Sequence, residues 1–391
     1  MVYDMKDKAA IVGIGWTEIS RNSGASVLHL AVDACKRAVE DAGLTIKDID
    51  GIVTHNMSDS VMPQQVANCF GIPQLAYHLE YWGGGPAGGQ TIMNAALAVA
   101  TGLAKYVVCF RALNGRSGRR IGGIGEKPKA QGVEQFAIPY GFTNFTHLAG
   151  ICIGRHMIKY GTTERQIGSV VVNQRNNAML NERAIQRKPL TMEEYLNSKK
   201  FTDHIRFYDI CSEVDGGVAV VVTTAERARD LKKRPVYISG MAAGGGPAQM
   251  SYGMNTADLS RWPDLTESFI KYIAPSLYHM AGVTPQDIDI AELYDDVSLV
   301  VLMQLEDFGF CKPGEAGAFA EEGGIKIGGK LPVNTHGGLI CEGYLHGINN
   351  ITEAVSQLRG EAGQRQVENA QLAVTSHFAL SLGSALILRR G

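Results

Sequence analysis

The chain has 391 residues, of which 45% are hydrophobic, and its formal net charge is −2. This length suggests two or three domains, since a domain takes about 150 residues. The small net charge argues against a general nucleic-acid or membrane binder, and no stretch approaches the ~18 uninterrupted apolar residues of a membrane span. The chain starts without a secretory pattern and its seven cysteines form no CxxC pair. A cytoplasmic protein with reduced thiols and no metal site is therefore expected.

Short apolar strands alternate with helices along the first half of the chain. Apolar residues in 26–42 recur at helical spacing, and 87–101 is apolar on all sides, which is typical of a buried helix. Residues from about 111 to 202 interrupt the alternation and are predicted to be an insertion. The predicted elements of this half are the strands Ala9–Gly13, Ile52–Thr54, Tyr106–Phe110 and Gly216–Thr224 and the helices Ser26–Ala42 and Ala87–Thr101.

The second half repeats this order. It predicts strands at Val236–Gly240, Ile288–Leu293, Leu372–Val374 and Ser384–Leu388 and helices at Ser268–Met280 and Ser298–Leu305. Strands that alternate with helices favour an α/β architecture with covered sheets. We therefore predict two domains, 1–232 and 233–391, with the insertion in the first.

One nine-residue segment occurs twice. Ala42–Asp50 (AGLTIKDID) returns as Ala281–Asp289 (AGVTPQDID), with six identical positions and an offset of 239 residues. The offset is too long for a solenoid period, so it indicates a half-domain used twice; the alternative is a helix stop and turn that arose independently. The first copy leads into an apolar strand, and the second into Glu292–Asp296 (ELYDD).

The segment Asn334–Gly347 (NTHGGLICEGYLHG) is the most specific motif. Together with the duplicated halves, the glycine-rich turn 83–89 and the terminal LGSALIL strand, it resembles the thiolase superfamily, and most of all the sterol-carrier-protein-X-type thiolases. The resemblance covers essentially the whole chain. It implies the thiolase fold: two duplicated βαβαβαββ halves in a five-layer α/β sandwich, an inserted loop domain over the active site, and a homodimer.

This chain carries other residues at the positions that align with the catalytic residues of thiolases. The nucleophilic cysteine aligns with Gly85, the histidine of the "GHP" motif with Tyr344, the second cysteine with Phe378, and the residue that holds the thioester oxygen with Tyr294. Covalent acyl transfer needs a thiolate and a base. An acyl-enzyme is therefore not expected unless another cysteine has moved in, and Cys341, the nearby candidate, is interpreted as a packing residue.

Two tyrosines at these positions favour another reaction. A phenol titrates near 10 and suits proton transfer with alkoxides and enolates. Retro-aldol cleavage of a β-hydroxyacyl-CoA needs one group to remove the hydroxyl proton and another to protonate the thioester enolate. Positioned acid–base groups contribute about 10²–10⁴-fold to a rate, and donors around the thioester oxygen stabilise the enolate.

The pattern is similar to the thiolase-like steroid side-chain aldolases, which are often labelled lipid-transfer proteins. This resemblance implies a lyase that cleaves a 17-hydroxy steroid C22-CoA thioester to a 17-ketosteroid and propionyl-CoA, without a metal or organic cofactor besides the CoA of its substrate. It also implies a small OB-fold acyl-CoA-associated partner protein. Tyr294 and Tyr344 become the acid–base pair. Tyr344 is assigned as the donor to the enolate, although the residues leave open which phenol is acid and which base.

Several neighbours are candidates for supporting roles. His346 could polarise Tyr344 or make a loop hydrogen bond, and Asp295 or Asp296 could orient a phenol or cap a helix. Gly85 could leave room for a bulky substrate or form a tight turn. Contacts with substrate or CoA are predicted at Gly85, Ser251, Gly338 and Phe378. Five basic residues are expected either to contact the CoA phosphates or to lie in a solvated loop. They are Arg116, Arg119, Arg120, Lys127 and Lys129.

Two alternatives to an aldolase stay open. A thiolase-like acyltransferase would need a displaced cysteine, and a non-catalytic lipid-carrier subunit would keep the fold and pocket without turnover. The steroid nucleus rests on the family resemblance alone, because nothing in the composition separates it from another bulky β-hydroxyacyl group.

Overall fold

The computed structural model of the protein describes residues 4–120, 130–131, 135–247 and 262–391. The strands in these ranges are β1 (Ala9–Trp16), β2 (Gly51–Asn56), β3 (Tyr77–Trp82), β4 (Tyr106–Asn114), β5 (Asp215–Thr224), β6 (Val236–Gly245), β7 (Ile290–Glu292), β8 (Leu372–Phe378) and β9 (Leu382–Arg390). The α-helices are α1 (Val27–Asp41), α2 (Pro63–Phe70), α3 (Ala87–Ala100), α4 (Phe145–Tyr160), α5 (Glu164–Met179), α6 (Met192–Leu196), α7 (Ala225–Ala228), α8 (Ile270–Ala281), α9 (Ser298–Asp307), α10 (Ala316–Glu321), α11 (Gly338–Cys341) and α12 (Ile348–Arg359).

The strands form one mixed sheet with the order β3-β2-β4-β5-β1-β6-β9-β8-β7. The two halves meet where β1 pairs with β6 in antiparallel register, Ala10 opposite Tyr237 and Ile11 opposite Val236. Outward from this junction the first half runs β1-β5-β4-β2 and the second runs β6-β9-β8-β7. The same order on both sides confirms the duplicated α/β halves expected from the sequence.

Three apolar clusters separate the layers. The first lies between α1 and one face of the first half-sheet, and another packs α8 and α9 on the second half. Between them, α3 and α12 share a third cluster with strands of both halves. Helices therefore form two outer layers and one central layer around two half-sheets, which confirms the five-layer arrangement of the thiolase fold.

The repeated segment has the same structural role in both halves. After the first helix, Thr45 donates its backbone N–H and hydroxyl to Asp48 Oδ2, both at 2.8 Å; Thr284 does the same to Asp287 Oδ2, at 2.7 and 2.8 Å. These bonds close a short 3₁₀ turn in each copy. Residues three apart that cap each other in this way explain why the T-x-x-D pattern is repeated.

The last aspartate of each copy fixes the following strand. The Asp50 carboxylate accepts the backbone N–H groups of Lys105 and Tyr106 at 2.9 Å, where β4 begins. Asp289 Oδ2 accepts two N–H groups, at 2.8 and 2.9 Å, where β8 begins. Side-chain acceptors thus serve backbone donors that lie at a strand end and need a partner.

The insertion lies between β4 and β5 and contains α4 to α6. Because β4 continues to Asn114, the insertion starts slightly later than the sequence predicted. Its helix α5 and the turn after it anchor the 334–347 segment. Asn177 Nδ2 on α5 donates to the backbone oxygens of Val333 and Asn334 at 3.2 and 3.1 Å, and Asn181 Nδ2, just beyond α5, donates to that of His336 at 2.9 Å. Over the part of the chain that the structure describes, every helix is too short or too polar to cross a membrane.

We call Asp50 and Asp289 the strand clamps, because their carboxylates hold the starts of β4 and β8. Removing either strand clamp should destabilise the fold. We expect Asp50→Ala and Asp289→Ala each to lower the free energy of unfolding by about 1.5–3 kcal/mol, the range for a lost hydrogen bond to a charged group. Urea unfolding followed by circular dichroism measures this. The exposed Asp203→Ala is the control and should change little. Wild-type stability in both clamp variants would contradict the role given to the repeat.

Candidate active site

Tyr294 is held by three elements at the end of β7. Its backbone N–H donates to Ser376 Oγ on β8 at 3.0 Å, and its carbonyl oxygen accepts Gln304 Nε2 from α9 at 2.6 Å. The preceding residue, Leu293, donates its N–H to Asn334 Oδ1 at 2.7 Å. The tyrosine is 1% exposed, so both its backbone and its ring have little freedom.

Tyr344 meets Tyr294 from the 334–347 segment. Its backbone N–H donates to the Ser212 carbonyl oxygen at 2.9 Å, which ties the segment to the end of the insertion. The two phenol oxygens are hydrogen-bonded to each other, and the rings meet edge to face with centroids 6.0 Å apart. The structure therefore brings together two predicted site residues that lie far apart in the chain.

The glycine-rich turn before α3 makes room for this contact. A Cβ atom at Gly85 would lie 2.0 Å from the Tyr294 hydroxyl oxygen and 2.4 Å from its Cζ atom. The expectation that Gly85 opens space for a bulky substrate is therefore wrong at this position. The long phenol side chain reaches into the space and fills it, which only a residue without a side chain permits.

A buried arginine fixes the tautomer and the neutral charge of His346. Arg111 is inaccessible to solvent; its Nε donates to His346 Nδ1 at 2.8 Å and its Nη2 to Asp59 Oδ2 at 2.6 Å. A guanidinium has only donors, so His346 Nδ1 is the acceptor and the proton of the neutral ring is on Nε2. Burial and the Arg111 charge lower the pKa of His346 well below its ordinary value. The imidazole ring lies edge to face on Tyr344, with centroids 4.9 Å apart.

A cavity of about 410 Å³ opens beside the tyrosine pair, between the insertion and the second half. Tyr344 is part of its wall, whereas Tyr294 lies behind Tyr344. The wall is mainly apolar but also carries arginines from several segments, a composition that suits a large apolar ligand with an anionic part. The arginines and aromatic side chains of the wall are Arg21, Arg116, Arg120, Arg175, Phe145, Phe201, Phe207, Tyr208 and Tyr344.

Burial sets the ionisation of the site. It raises the pKa of Tyr294 and of Tyr344 well above the ordinary phenol value, and the nearby Asp296 carboxyl raises both further. Both phenols therefore keep their protons near neutral pH. Burial also raises the pKa of Asp296 to about 7. Asp296 is part of the cavity wall, and its position directly after the Tyr294–Asp295 pair was the only signal for it in the sequence.

Asp295 and Gly338 form a structural pair away from the phenols. Asp295 accepts the backbone N–H groups of Leu339 and Ile340 at 2.8 and 3.1 Å, at the start of α11. A Cβ atom at Gly338 would lie 2.2 Å from Asp295 Oδ2. The carboxylate fills the space beside Gly338, so the structure gives Asp295 the helix-capping role rather than a contact with a phenol, and leaves no room there for a ligand.

The other predicted binding residues are dispersed. Phe378 is buried and packs on Phe269 with ring centroids 5.6 Å apart, in the outer core of the second half. Arg116 and Arg120 line the cavity, whereas Arg119 donates to the Met57 carbonyl oxygen at 2.8 Å. The positions outside the described residues are Ser251, Lys127 and Lys129.

Neither thiol near the site is prepared as a nucleophile. Cys341, which the sequence suggested, is buried against Arg175 with Sγ 3.5 Å from its Nε, and burial raises its pKa to about 11. The thiol in the cavity wall is instead Cys211, which no motif signals. Burial and the neighbouring Asp296 raise the pKa of Cys211 well above its ordinary value, so both sulfurs stay protonated.

The duplicated halves and the three segments that meet at the phenols define a protein of the thiolase fold. A family model described as thiolase C-terminal domain-like matches residues 251–389. A 17-hydroxy-3-oxo-4-pregnene-20-carboxyl-CoA lyase of Mycobacterium tuberculosis is 42% identical over 91% of this chain and 92% of its own length. A steroid side-chain-cleaving aldolase of Thermomonospora curvata is 40% identical over 94% of each chain.

A solved structure described as the Ltp2-ChsH2(DUF35) aldolase superposes with a TM-score of 0.91 and 38% identity, covering 99% of both chains. The chain therefore belongs to the thiolase superfamily and, within it, to the family of the steroid side-chain-cleaving aldolases.

The overlap at Gly85 can be tested by a double-mutant cycle. We expect Gly85→Ala to destabilise the protein by about 1–3 kcal/mol through overpacking against the Tyr294 phenol. In a Tyr294→Leu background, the same change should cost much less, because the shorter side chain leaves the space open. Urea unfolding measures all four proteins. Gly216→Ala, whose Cβ would meet the Leu345 side chain at an ordinary 3.5 Å, is the control and should be additive with Tyr294→Leu. Additivity at Gly85 would contradict the contact.

Proposed function

We propose that this chain is a carbon–carbon lyase that cleaves a 17-hydroxy steroid C22-CoA thioester to a 17-ketosteroid and propionyl-CoA. The observation that carries the proposal is the hydrogen-bonded pair of Tyr294 and Tyr344 beside Gly85, where a thiolase would need a cysteine. The relatives at 40% and 42% identity that are described as a steroid side-chain-cleaving aldolase and a pregnene-carboxyl-CoA lyase support the substrate class.

The proposed reaction breaks the bond between C17 of the steroid and the α-carbon of the thioester. As a basic group of the site takes the proton of the 17-hydroxyl, the C17–O single bond becomes the carbonyl of a ketone. The electron pair of the broken C17–Cα bond passes to the thioester as an enolate. Tyr344, which faces the cavity, donates its proton to the α-carbon and releases propionyl-CoA. The phenolate that remains on Tyr344 is stabilised by the hydroxyl of Tyr294, since hydrogen bonds to charged oxygens are the stronger kind.

His346 is proposed to support this proton transfer. Its Nδ1 is occupied by Arg111, so the ring cannot take a proton there without losing that bond. The Arg111 charge also lowers the pKa of the Tyr344 phenol, opposing the effect of burial. The Arg111 charge therefore makes the Tyr344 phenolate easier to form during turnover, while His346 is held between Arg111 and the Tyr344 ring.

The substrate and its partners are assigned to surfaces by chemistry. Arg116 and Arg120 in the cavity wall are proposed to attract the CoA phosphates, because guanidinium groups bind phosphate oxygens well.

The small OB-fold partner is proposed from the structural neighbour described as an Ltp2-ChsH2(DUF35) aldolase. The edge strand β3 of the described sheet is proposed to pair with a second copy in a homodimer. The absence of a metal or organic cofactor and the cytoplasmic location both stay predictions.

The proposed function is tested by turnover. The purified chain, with and without its OB-fold partner, is incubated with 17-hydroxy-3-oxo-4-pregnene-20-carboxyl-CoA, and products are identified by mass spectrometry. We expect a 17-ketosteroid and propionyl-CoA in equal amounts. The analogue without the 17-hydroxyl is the control and should stay intact, since it has no proton to lose. Intact 17-hydroxy substrate in both mixtures would contradict the proposal and favour the carrier subunit.

The two tyrosines should differ in their effect on this reaction. We expect Tyr344→Phe to lower kcat by about 10²–10⁴-fold, the range for a lost acid–base group. Tyr294→Phe should lower it by about 10–100-fold, the equivalent of one hydrogen bond to a charged oxygen. Both variants should bind the acyl-CoA normally in calorimetry.

Cys211→Ser is the control for this series, because the thiol lines the same cavity. It should retain cleavage; a loss in Cys211→Ser with an active Tyr344→Phe, Tyr294→Phe double variant would favour the acyltransferase instead.

A further inference from the structure

Asp296 has an unusual environment for a carboxylate. It follows β7 in the loop that carries Tyr294, and its side chain is part of the cavity wall together with Tyr344 and Cys211. Its Oδ1 is shielded from solvent and has no hydrogen-bond partner among the described residues. A buried acceptor without a partner is costly, and such exceptions call for an explanation.

Three acidic groups near Asp296 have specific partners. Asp295 caps α11 through two backbone N–H groups, Asp59 is paired with Arg111, and Glu213 in the same cavity wall is paired with Arg120. Within the described ranges, Asp296 takes part in no ion pair, and the backbone N–H of Val297 stabilises its ionised form.

We propose that Asp296 is the base that removes the proton from the 17-hydroxyl group of the substrate. This inference rests on the proposed function and replaces the earlier assignment of one tyrosine as the base. Its basis is the placement of Asp296, a carboxyl group without an ion-pair partner among the described residues, in the same cavity wall as the phenol that protonates the enolate.

The chemistry of the two phenols requires such a third group. Burial keeps the protons of Tyr294 and Tyr344 in place near neutral pH, so each phenol can donate a proton but cannot readily accept one. Burial also raises the pKa of Asp296 to about 7. A base is most effective when its pKa lies close to the working pH, and Asp296 meets this condition.

The proton balance closes with this assignment. Asp296 takes the hydroxyl proton, the C17–O bond becomes a carbonyl, and the electron pair of the C17–Cα bond forms the thioester enolate. Tyr344 protonates that carbon and becomes a phenolate. The cycle ends when the proton held by Asp296 returns to Tyr344, so no oxidant, reductant or further reactant is consumed.

The groups that face Asp296 determine how it titrates. Cys211, from the end of the insertion, donates its backbone N–H to the Asp296 carbonyl oxygen at 3.0 Å. Tyr294 and Asp295 belong to the same loop, and Tyr344 comes from the 334–347 segment. The thiol and the phenols are neutral near pH 7, as their raised pKa values show, and burial raises the pKa of Asp295 well above its usual range. Of this set, Asp296 lies in the cavity wall with a pKa raised to about 7.

The test is the pH dependence of kcat/KM for the 17-hydroxy steroid CoA thioester. In the wild type, kcat/KM should rise with pH and level off above about pH 7, because the base acts only when ionised. Asp296→Asn should lower kcat about 10²–10⁴-fold, leave binding of the acyl-CoA unchanged in calorimetry, and abolish the rise through this pH range. A variant that cleaves at nearly the wild-type rate, with the rise retained, would overturn the role of Asp296.

A matched control separates catalysis from stability. Asp307 at the end of α9 is also a buried carboxyl whose pKa is raised to about 7, but it accepts the N–H and hydroxyl of Ser268 at 2.7 and 2.6 Å outside the cavity wall. Asp307→Asn should keep the rise in activity. If Asp307→Asn abolishes it as well, the rise reflects folding, and the assignment to Asp296 is overturned.

Two further outcomes are distinguishable. If Asp296→Asn does not fold, as judged by circular dichroism, Asp296→Glu takes its place; it should retain part of the activity and the rise, with a shifted midpoint, and a flat profile would overturn the inference. If the wild type gives no ketone from the 17-hydroxy substrate, the proposed function fails, and the inference with it. Wild-type cleavage with a fully active Asp296→Asn overturns the inference alone.

Discussion

The close approach of the Tyr294 phenol to the backbone of Gly85 is the constraint on which the site depends. It joins the turn before α3 in the first half to the end of β7 in the second, and Tyr344 completes the contact from the 334–347 segment. Three segments distant in sequence thus converge on one pair of oxygen atoms. A side chain at position 85 and a long side chain at position 294 are sterically incompatible, so the glycine and the phenol depend on each other.

Burial then determines the chemistry of what converges there. Removing a group from water disfavours its charged form, so phenols and thiols stay protonated while the histidine stays neutral beside Arg111. The same effect leaves Asp296 with a pKa of about 7, within reach of physiological pH. Position rather than residue type decides which carboxyl group is free to accept a proton. Asp295, one residue before Asp296, already accepts two backbone N–H groups at the start of α11.

A buried ion network holds the 334–347 segment in place. Glu342 and Glu353 share Arg183 from the insertion at 2.9 and 3.3 Å, and His336 lies 3.0 Å from Glu292 at the end of β7. The surrounding carboxylates raise the pKa of His336 to about 9 despite its burial, so it is a cation in this network. Removing one member of a buried ion network leaves its partners uncompensated. The insertion, β7 and α12 are thereby coupled to the segment that carries Tyr344.

The sequence by itself determined the local elements and the identity of the two phenols. Helices α1 and α3 have the expected bounds to within a residue because apolar spacing and glycine stops act locally. The strand β3 and the helix α12 escaped notice; α12 (INNITEAVSQLR) is buried on all sides yet rich in polar residues, so no apolar stripe marks it. Only the tertiary structure decided that Tyr294 fills the space at Gly85, that Asp295 caps a helix, and that Asp296 and Cys211 face the cavity. Those contacts depend on which distant segments pack against each group and exclude water from it. The spacing of residues along the chain does not determine that packing.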